Sequence, residues 1–375
     1  MNLNKKIFFW SPILSHVGTI KAVEKSAEAL KKYSNLDIYL INVFGEFDYL
    51  QNNKNYKTLN IFKFRNWPQT GFISKIIIYL FTIISLYKLI LFYKKYNPEI
   101  LYCNLVGYLP NILKIIYPRV KIINSIQGLP KFNFLRRILW KIFYNKADYI
   151  FTMTELTKKK ILENLNFKGH IFKVENPIIN RNIRILSNKM IDENDKKYFN
   201  KITFIAVGRL TKQKNFINII KAVNLIPRNL HSKFNILIIG SGEEYNFLKN
   251  EIKKYNIENI FLLGFKKNPY PYLKKSNYYI SSSLWEEPGH AILEAGYLNK
   301  MIISSDCPNG PKEILKDKEN SIKFRMNDHE NLKEIILKIL ENNIEKEFNI
   351  KLNMKKLVKK YSMYNFSKKI NDIIN

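Results

Sequence analysis

The sequence predicts an α/β fold of two domains, each a parallel sheet layered with helices. Three observations point there. Continuous apolar runs such as Ile202 to Val207 have the composition of strands buried on both faces of a parallel sheet. Such runs alternate with segments of helical spacing through both halves of the chain. A polar stretch, Asn180 to Asn200, with acids at 192 to 195, separates the halves and reads as a linker. The 375 residues, 46% hydrophobic and 14% aromatic, suffice for two cores of ordinary size. The domains are placed at 1–180 and 201–360, joined by 181–200 and followed by a final helix at 361–375.

The first strand is Lys6 to Trp10. After a loop of His16, Val17, Gly18 and Thr19, the apolar residues Ile20, Val23, Ala27 and Leu30 recur at helical spacing. A helix start that follows a glycine loop can hold an anion, or it can be a plain turn. No G-x-G-x-x-G is present, which argues against a dinucleotide cofactor. Strands follow at Leu36 to Val43 and Leu59 to Phe64, and then the most apolar region, 72–93. Twelve uncharged residues lie between Lys75 and Lys88, short of the ~20 that a spanning helix needs. A helix buried in the domain and a helix lying on a membrane interface both remain open. Further strands are expected at Glu99 to Cys103 and Lys121 to Ser125, the latter leading to Gln127 and Gly128. Ala147 to Ile161 pairs a strand with a helix capped by Thr154. The segment VENPI, with Asn176 and Pro177, ends the first domain.

In the second half, Ile202 to Val207 turns at Gly208, beyond which stand Arg209 and Lys214. Ligands of open α/β sheets gather at the carboxyl ends of strands, where two cations can neutralise a diphosphate. The strand FNILII ends at Gly240, and the strand NIFLL ends at Gly264 and Phe265. Tyr278 to Ser282 then leads into LWEEPGHAILEA, in which Glu286 precedes the turn at Gly289 and Glu294 lies eight positions later on a helix. The amides from Gly289 through His290 to Ala291 open that helix and suit an anion. His290 is either a sugar contact or a packing residue. Beyond NKMIISS and DCPNGPKEIL, helices are expected at His329 to Asn342 and Glu345 to Tyr361.

Composition narrows the partners. The net charge of +31, from 62 basic against 31 acidic residues, fits an anionic membrane, a phosphorylated substrate, nucleic acid, or merely a lysine-rich solvated surface. No nucleic-acid reader motif and no aromatic-basic cluster is present. Cys103 and Cys307 are the only cysteines and fall in separate domains, so no disulfide framework is expected and a reducing cytoplasm fits. The first residues read as a strand rather than a signal peptide. The acids at 192 to 195 lie in a charged run without a histidine, a poor metal site.

Glu-x7-Glu across a Pro-Gly turn, after a short strand ending in serines, resembles the signature of glycosyltransferase family 4, retaining enzymes of the GT-B fold. The form W-E-x-P-G-x-x-x-x-E-A with C-P-N-G-P-K-E-I-L is similar to bacterial members that build surface polysaccharides, and G-R-L-x-x-x-K at 208 to 214 is a further family feature. The resemblance implies two facing Rossmann-like domains, with 361–375 crossing back onto the first. It assigns Arg209 and Lys214 to the donor pyrophosphate, Gly264 and Phe265 to the base, Glu294 to the ribose, and Glu286 with Gly289, His290 and Ala291 to the sugar and phosphate. Gly18 and Thr19 face the donor phosphates in such enzymes. Gln127 stands where many relatives carry a histidine near the donor sugar, and an amide cannot take a proton near neutral pH. The implied activity is sugar transfer from a UDP- or GDP-linked donor to a growing, lipid-linked capsule, lipopolysaccharide or O-antigen glycan, with no metal and no cofactor. The expected location is cytoplasmic, peripheral on the plasma membrane. A nucleotide-sugar epimerase of the same fold, which needs its own acids and bases, and a basic nucleic-acid-binding protein are the alternatives.

Overall fold

The structure, a computed structural model, describes all residues except 1–4, 15–17, 65, 68–70, 106, 108, 343–346 and 375, and it leaves out the side chains at 18, 19, 71–75, 79 and 135. The chain divides into two compact units, Met1–Ile178 with Tyr361–Asn375, and Ile179–Lys360.

In the first unit, β1 (Lys5–Trp10), β2 (Leu36–Asn42), β3 (Lys57–Asn60), β4 (Ile100–Cys103), β5 (Lys121–Ile126), β6 (Tyr149–Thr152) and β7 (His170–Lys173) form one sheet, in the order β3-β2-β1-β4-β5-β6-β7. Every neighbouring pair is parallel. Parallel neighbours require crossovers, which run through α1 (Gly18–Tyr33), α2 (Gly71–Tyr96), α3 (Leu113–Ile116), α4 (Phe134–Phe143) and α5 (Glu155–Asn164). Because strand side chains alternate, the sheet has two distinct cores. Ile7, Phe9, Ile123 and Phe151 pack with Ile20 and Val23 of α1, and with Phe366 and Ile370 of the C-terminal helix, Met363–Ile374. Phe8, Trp10, Leu101 and Ile122 pack on the opposite face, with Leu89 and Tyr93 of α2.

The second unit contains α6 (Arg181–Ser187), β8 (Ile202–Val207), α7 (Ile217–Asn224), β9 (Phe234–Ile239), α8 (Tyr245–Lys254), β10 (Ile260–Leu262), α9 (Tyr270–Lys275), β11 (Tyr278–Ser281), α10 (His290–Tyr297), β12 (Met301–Ser305), α11 (Gly310–Ile314), β13 (Ile322–Phe324), α12 (His329–Leu340) and α13 (Glu347–Val358). Its sheet is also wholly parallel, ordered β10-β9-β8-β11-β12-β13. The order switches between β8 and β11, which opens a crevice beyond their carboxyl ends.

Three stretches differ from the sequence reading. The region read as linker, 181–200, is folded into the second unit. There Asn180 caps α6, and Asn268 and Lys274 bind Leu186 and Asn188 at 3.0 and 2.5 Å. Strand β3 covers 57–60 rather than 59–64, because its register with β2 runs from Tyr39↔Lys57 to Asn42↔Asn60. Ile61 and Phe62 instead pack into the core that includes α2. Helix α2 is long and apolar enough to cross a membrane from Ile76 to Tyr96, yet Leu89 and Tyr93 are buried in the sheet's core and Tyr93 Oη donates to Pro98 O at 2.7 Å. One flank of α2 is thus core, and the other is exposed.

Candidate active site

At the carboxyl edge of the second sheet the turns after β8, β9 and β10 interlock. Gly208 N donates to Ile239 O at 3.0 Å, Leu210 N to Ser241 O at 2.9 Å and Gly240 N to Gly264 O at 2.9 Å. A Cβ at Gly240 would fall 1.8 Å from Gly208 O, so no side chain fits where these turns meet. The result is a bare backbone edge that a ligand can approach. Phe265, which follows β10, is 68% exposed beside it and can stack on a planar base. Arg209 is exposed, and its guanidinium makes no hydrogen bond or ion pair among the described residues.

Lys214 and Glu286 form an ion pair at the centre of this edge. Their side chains are only 20% and 9% exposed, so the pair is largely desolvated. The loop that carries Glu286 is held in place from several sides. Ser283 Oγ donates to Glu286 Oε1 at 2.7 Å, Ser282 Oγ to Lys214 O at 2.8 Å, and Gln213 Nε2 to Trp285 O at 2.8 Å. Ser305 Oγ, from β12, donates to Ser283 O at 2.6 Å, and Gly310 N donates to Glu286 O at 3.0 Å. The three serines at 281–283 and Ser305 are buried, and each of these bonds replaces one that water would have made.

Helix α10 begins immediately beyond. Gly289 is its N-cap, at φ +92°, a conformation that strains any residue with a Cβ. His290 and Ala291 therefore open the helix with amides that no carbonyl within it can satisfy. One turn further on, Glu294 accepts from Tyr270 Oη at 2.9 Å. Burial, then the Glu286 carboxylate, then the Glu294 carboxylate hold the Tyr279 phenol far above its ordinary pKa. Both glutamates therefore bear electrostatically on one buried hydroxyl of β11. Tyr270 is likewise held protonated, first by burial and then by Glu294, so it remains a hydrogen-bond donor at any ordinary pH. Cys307 is buried beside the same loop, and burial pushes its thiol up to about 11.

Sequence reasoning missed Tyr270, Ser283 and the group around Lys266. Lys266 Nζ pairs with Asp192 and, at 2.8 Å, with Asp195; Tyr272 Oη donates to the same two carboxylates at 3.0 and 2.7 Å. The acids of the supposed linker thus anchor the residue next to Phe265. Nothing in the spacing signals this, because the partners are more than seventy positions apart. Among the described residues, no group of three or more His, Cys, Asp or Glu side chains is placed to hold a metal ion.

In the first unit, Gln127 follows β5 and is fully engaged. Its Nε2 donates to Asn104 Oδ1 at 3.2 Å and to Ser125 Oγ at 2.7 Å, and its Oε1 accepts from Asn176 Nδ2 at 2.9 Å. Gly18 and Thr19 are the first residues of α1; the Thr19 side chain and the loop residues His16 and Val17 lie outside the described structure.

Residues 188–361 match the family model described as glycosyl transferases group 1. The chain is 35% identical over 181 residues to an uncharacterized glycosyltransferase of Methanocaldococcus jannaschii, a match that covers 48% of this chain and 44% of that protein. A second glycosyltransferase of that organism is 28% identical over 365 residues, covering 88% of this chain and 87% of its own length. A UDP-Gal:alpha-D-GlcNAc-diphosphoundecaprenol alpha-1,3-galactosyltransferase of Escherichia coli is 33% identical over 132 residues, 34% of either chain. The chain therefore spans less than half of the first of these relatives. Anabaena HepE, solved with UDP and with UDP-glucose, superposes with TM-scores of 0.77 and 0.76 at 16% identity, over 98% of this chain and 99% of that one. The fold is GT-B, and the stretch that carries Lys214, Glu286 and Glu294 matches the glycosyl transferases group 1 family.

Proposed function

We propose that the protein is a retaining, metal-independent glycosyltransferase of family 4 that moves a sugar from a UDP- or GDP-linked donor to a lipid-linked surface glycan at the cytoplasmic face of the plasma membrane. The observation that carries the proposal is the convergence of Lys214, Glu286 and Glu294 around the start of α10. In this reading Arg209, Lys214 and the α10 amides neutralise the donor diphosphate. Glu294 accepts hydrogen bonds from the ribose, Phe265 stacks on the base, and Glu286 holds the transferred sugar. HepE, with the same fold, has been solved with UDP and UDP-glucose, which supports the donor class. The name of the Escherichia coli relative supports a polyprenyl-diphosphate acceptor.

The charge placement supports the following chemistry. The bond from the anomeric carbon to the phosphate oxygen breaks, and the departing diphosphate is a weak base because cations and helix amides surround it. The acceptor hydroxyl attacks from the side the phosphate leaves, and its proton passes to the leaving oxygen, so the anomeric configuration is kept. No protein acid is required at that step. Gln127, its amide fully engaged, serves as a fixed wall in the first unit and not as a proton carrier.

The test is incubation with UDP- and GDP-sugars, with and without a polyprenyl-diphosphate sugar acceptor. Nucleoside diphosphate released only with acceptor, and a product of unchanged anomeric configuration by NMR, is the expected result. Conversion of the donor sugar without acceptor would identify an epimerase instead, and no turnover of any donor would reject the proposal.

A further inference from the structure

Three helices of the first unit carry exposed apolar residues on one face of its sheet. On α2, Ile76, Leu80, Ile83, Ile84, Tyr87 and Leu91 recur at helical spacing, and all are exposed. On α4, Phe134, Ile138 and Ile142 do the same, Phe134 at 81%. Ile115 and Ile116 of α3 are exposed as well. The strand pattern places these helices on one face. Ile122 and Ile126 are four apart on β5 and so share a side of the sheet. Ile122 packs in the core that holds Leu89 and Tyr93 of α2, while Ile126 packs with Trp140 of α4. Phe167 touches both cores, and the opposite side of the sheet is closed by α1 and the C-terminal helix.

The same stretch is nearly devoid of acid. From Gln51 to Ala147 sixteen residues are Lys or Arg, and Glu99 alone is acidic. Lys94 and Lys95 at the end of α2, Arg119, Lys131, and Arg137 and Lys141 on α4 are exposed. Apolar residues flanked by an excess of cations, with the nearby Asp148 already paired to Lys114 of α3 at 2.7 Å, match the headgroup boundary of an anionic bilayer. A second copy of the chain would bring an equally cationic face against this one and be repelled.

We infer that the α2–α3–α4 face of the first unit is a docking surface for an anionic lipid bilayer, with α4 as a contact in its own right beside α2. The inference deepens the membrane location in the proposed function, and it stands whether or not the sugar chemistry is as described. Aliphatic and aromatic side chains enter the acyl boundary, and Lys94, Lys95, Arg137 and Lys141 pair with lipid phosphates. Binding is therefore reversible and salt-sensitive.

The experiment is co-sedimentation of the full chain with phosphatidylcholine vesicles, with and without phosphatidylglycerol, at low and high salt. Wild type is expected to bind the anionic vesicles, weakly at high salt, and to bind neutral ones poorly. Arg137→Glu with Lys141→Glu, and separately Leu80→Ser with Ile84→Ser and Tyr87→Ser, should each weaken binding by about 10-fold or more. All five positions are exposed, and circular dichroism with the UDP-induced rise in melting temperature reports on folding and on the donor site independently. Vesicle binding that survives the α4 pair, equal binding to neutral vesicles, or a dimer that masks the face would each overturn the inference. Preferential retention by oligonucleotides over anionic vesicles would do the same. A missing UDP shift in wild type would count against the glycosyltransferase proposal and leave the vesicle result standing.

Discussion

Replacing Lys214 by alanine removes the cation from a pair whose carboxylate side chain is only 9% exposed. Glu286 keeps the Ser283 hydroxyl at 2.7 Å, but a buried charge with one neutral donor is poorly compensated. Breaking a fully buried pair costs about 3–5 kcal/mol and an exposed pair about 0–1 kcal/mol. This pair lies nearer the buried limit, so Lys214→Ala should destabilise the second unit by about 3 kcal/mol. For a domain of this size, that lowers the melting temperature by roughly 6–12 °C. Adding Glu286→Gln removes the stranded charge and should restore most of the lost stability. Donor affinity follows a different rule: the missing ammonium costs one charge-assisted bond to a phosphate, about 1.5–3 kcal/mol, or roughly 10- to 150-fold in Kd for UDP. The second substitution does not return that bond. A double-mutant cycle read by thermal melts and by UDP titration separates the two roles. If the double variant recovers UDP binding along with stability, or if Lys214→Ala leaves both unchanged, the reasoning is refuted.

Phe265→Ala should weaken UDP binding by roughly 10-fold, since stacking on a base contributes about 1–3 kcal/mol, while the melting temperature stays put because the ring is exposed; a stability loss without a binding loss would contradict the stacking role. Tyr270→Phe removes the donor 2.9 Å from Glu294 and should raise KM for the donor by roughly 5- to 10-fold with kcat nearly unchanged; steady-state kinetics would show the opposite split if Tyr270 acted on the chemical step. Lys300 is half-buried, and that partial burial, reinforced by Lys351 and Lys274, lowers its pKa from 10.5 to about 8. Between those values the unfolded chain binds a proton that the folded one does not, so stability should rise with pH from about 8 to 10.5, by up to about 3 kcal/mol. Lys300→Met should flatten that rise in urea titrations, and an unchanged slope would show that the group titrates normally.

The parallel sheets were legible because apolar β-branched runs such as Ile202 to Val207 admit few other uses, and their alternation with helical segments leaves one topology class. The turn at Gly289 and the two glutamates were legible for a local reason: a helix start, a glycine and two acids all fall within a dozen residues. What escaped was non-local. Asp192 and Asp195 look like solvated linker charge until the fold brings Lys266 to them. Tyr270 gives no sign in its own neighbourhood that it donates to Glu294, twenty-four positions on. The edge strand β3 ends earlier than its apolar pattern suggests because, past Ile61 N, which still donates to Asn42 O at 2.8 Å, the side chains of Ile61 and Phe62 pack with α2, a choice made by tertiary packing. The division of α2 into a core flank and an open flank was likewise hidden, because residues on both flanks are apolar and periodicity cannot tell them apart.

The central claim is that the carboxyl edge of the second sheet grips a nucleoside diphosphate through Arg209, Lys214 and the start of α10. Calorimetric titration of the full chain with UDP, UMP and uridine, repeated with GDP, GMP and guanosine, tests it most directly. One diphosphate should bind more tightly than its monophosphate by roughly 10-fold or more, with the free nucleoside not detectably bound and Arg209→Ala erasing most of the difference. Equal affinity for nucleoside and diphosphate in both series would contradict the account.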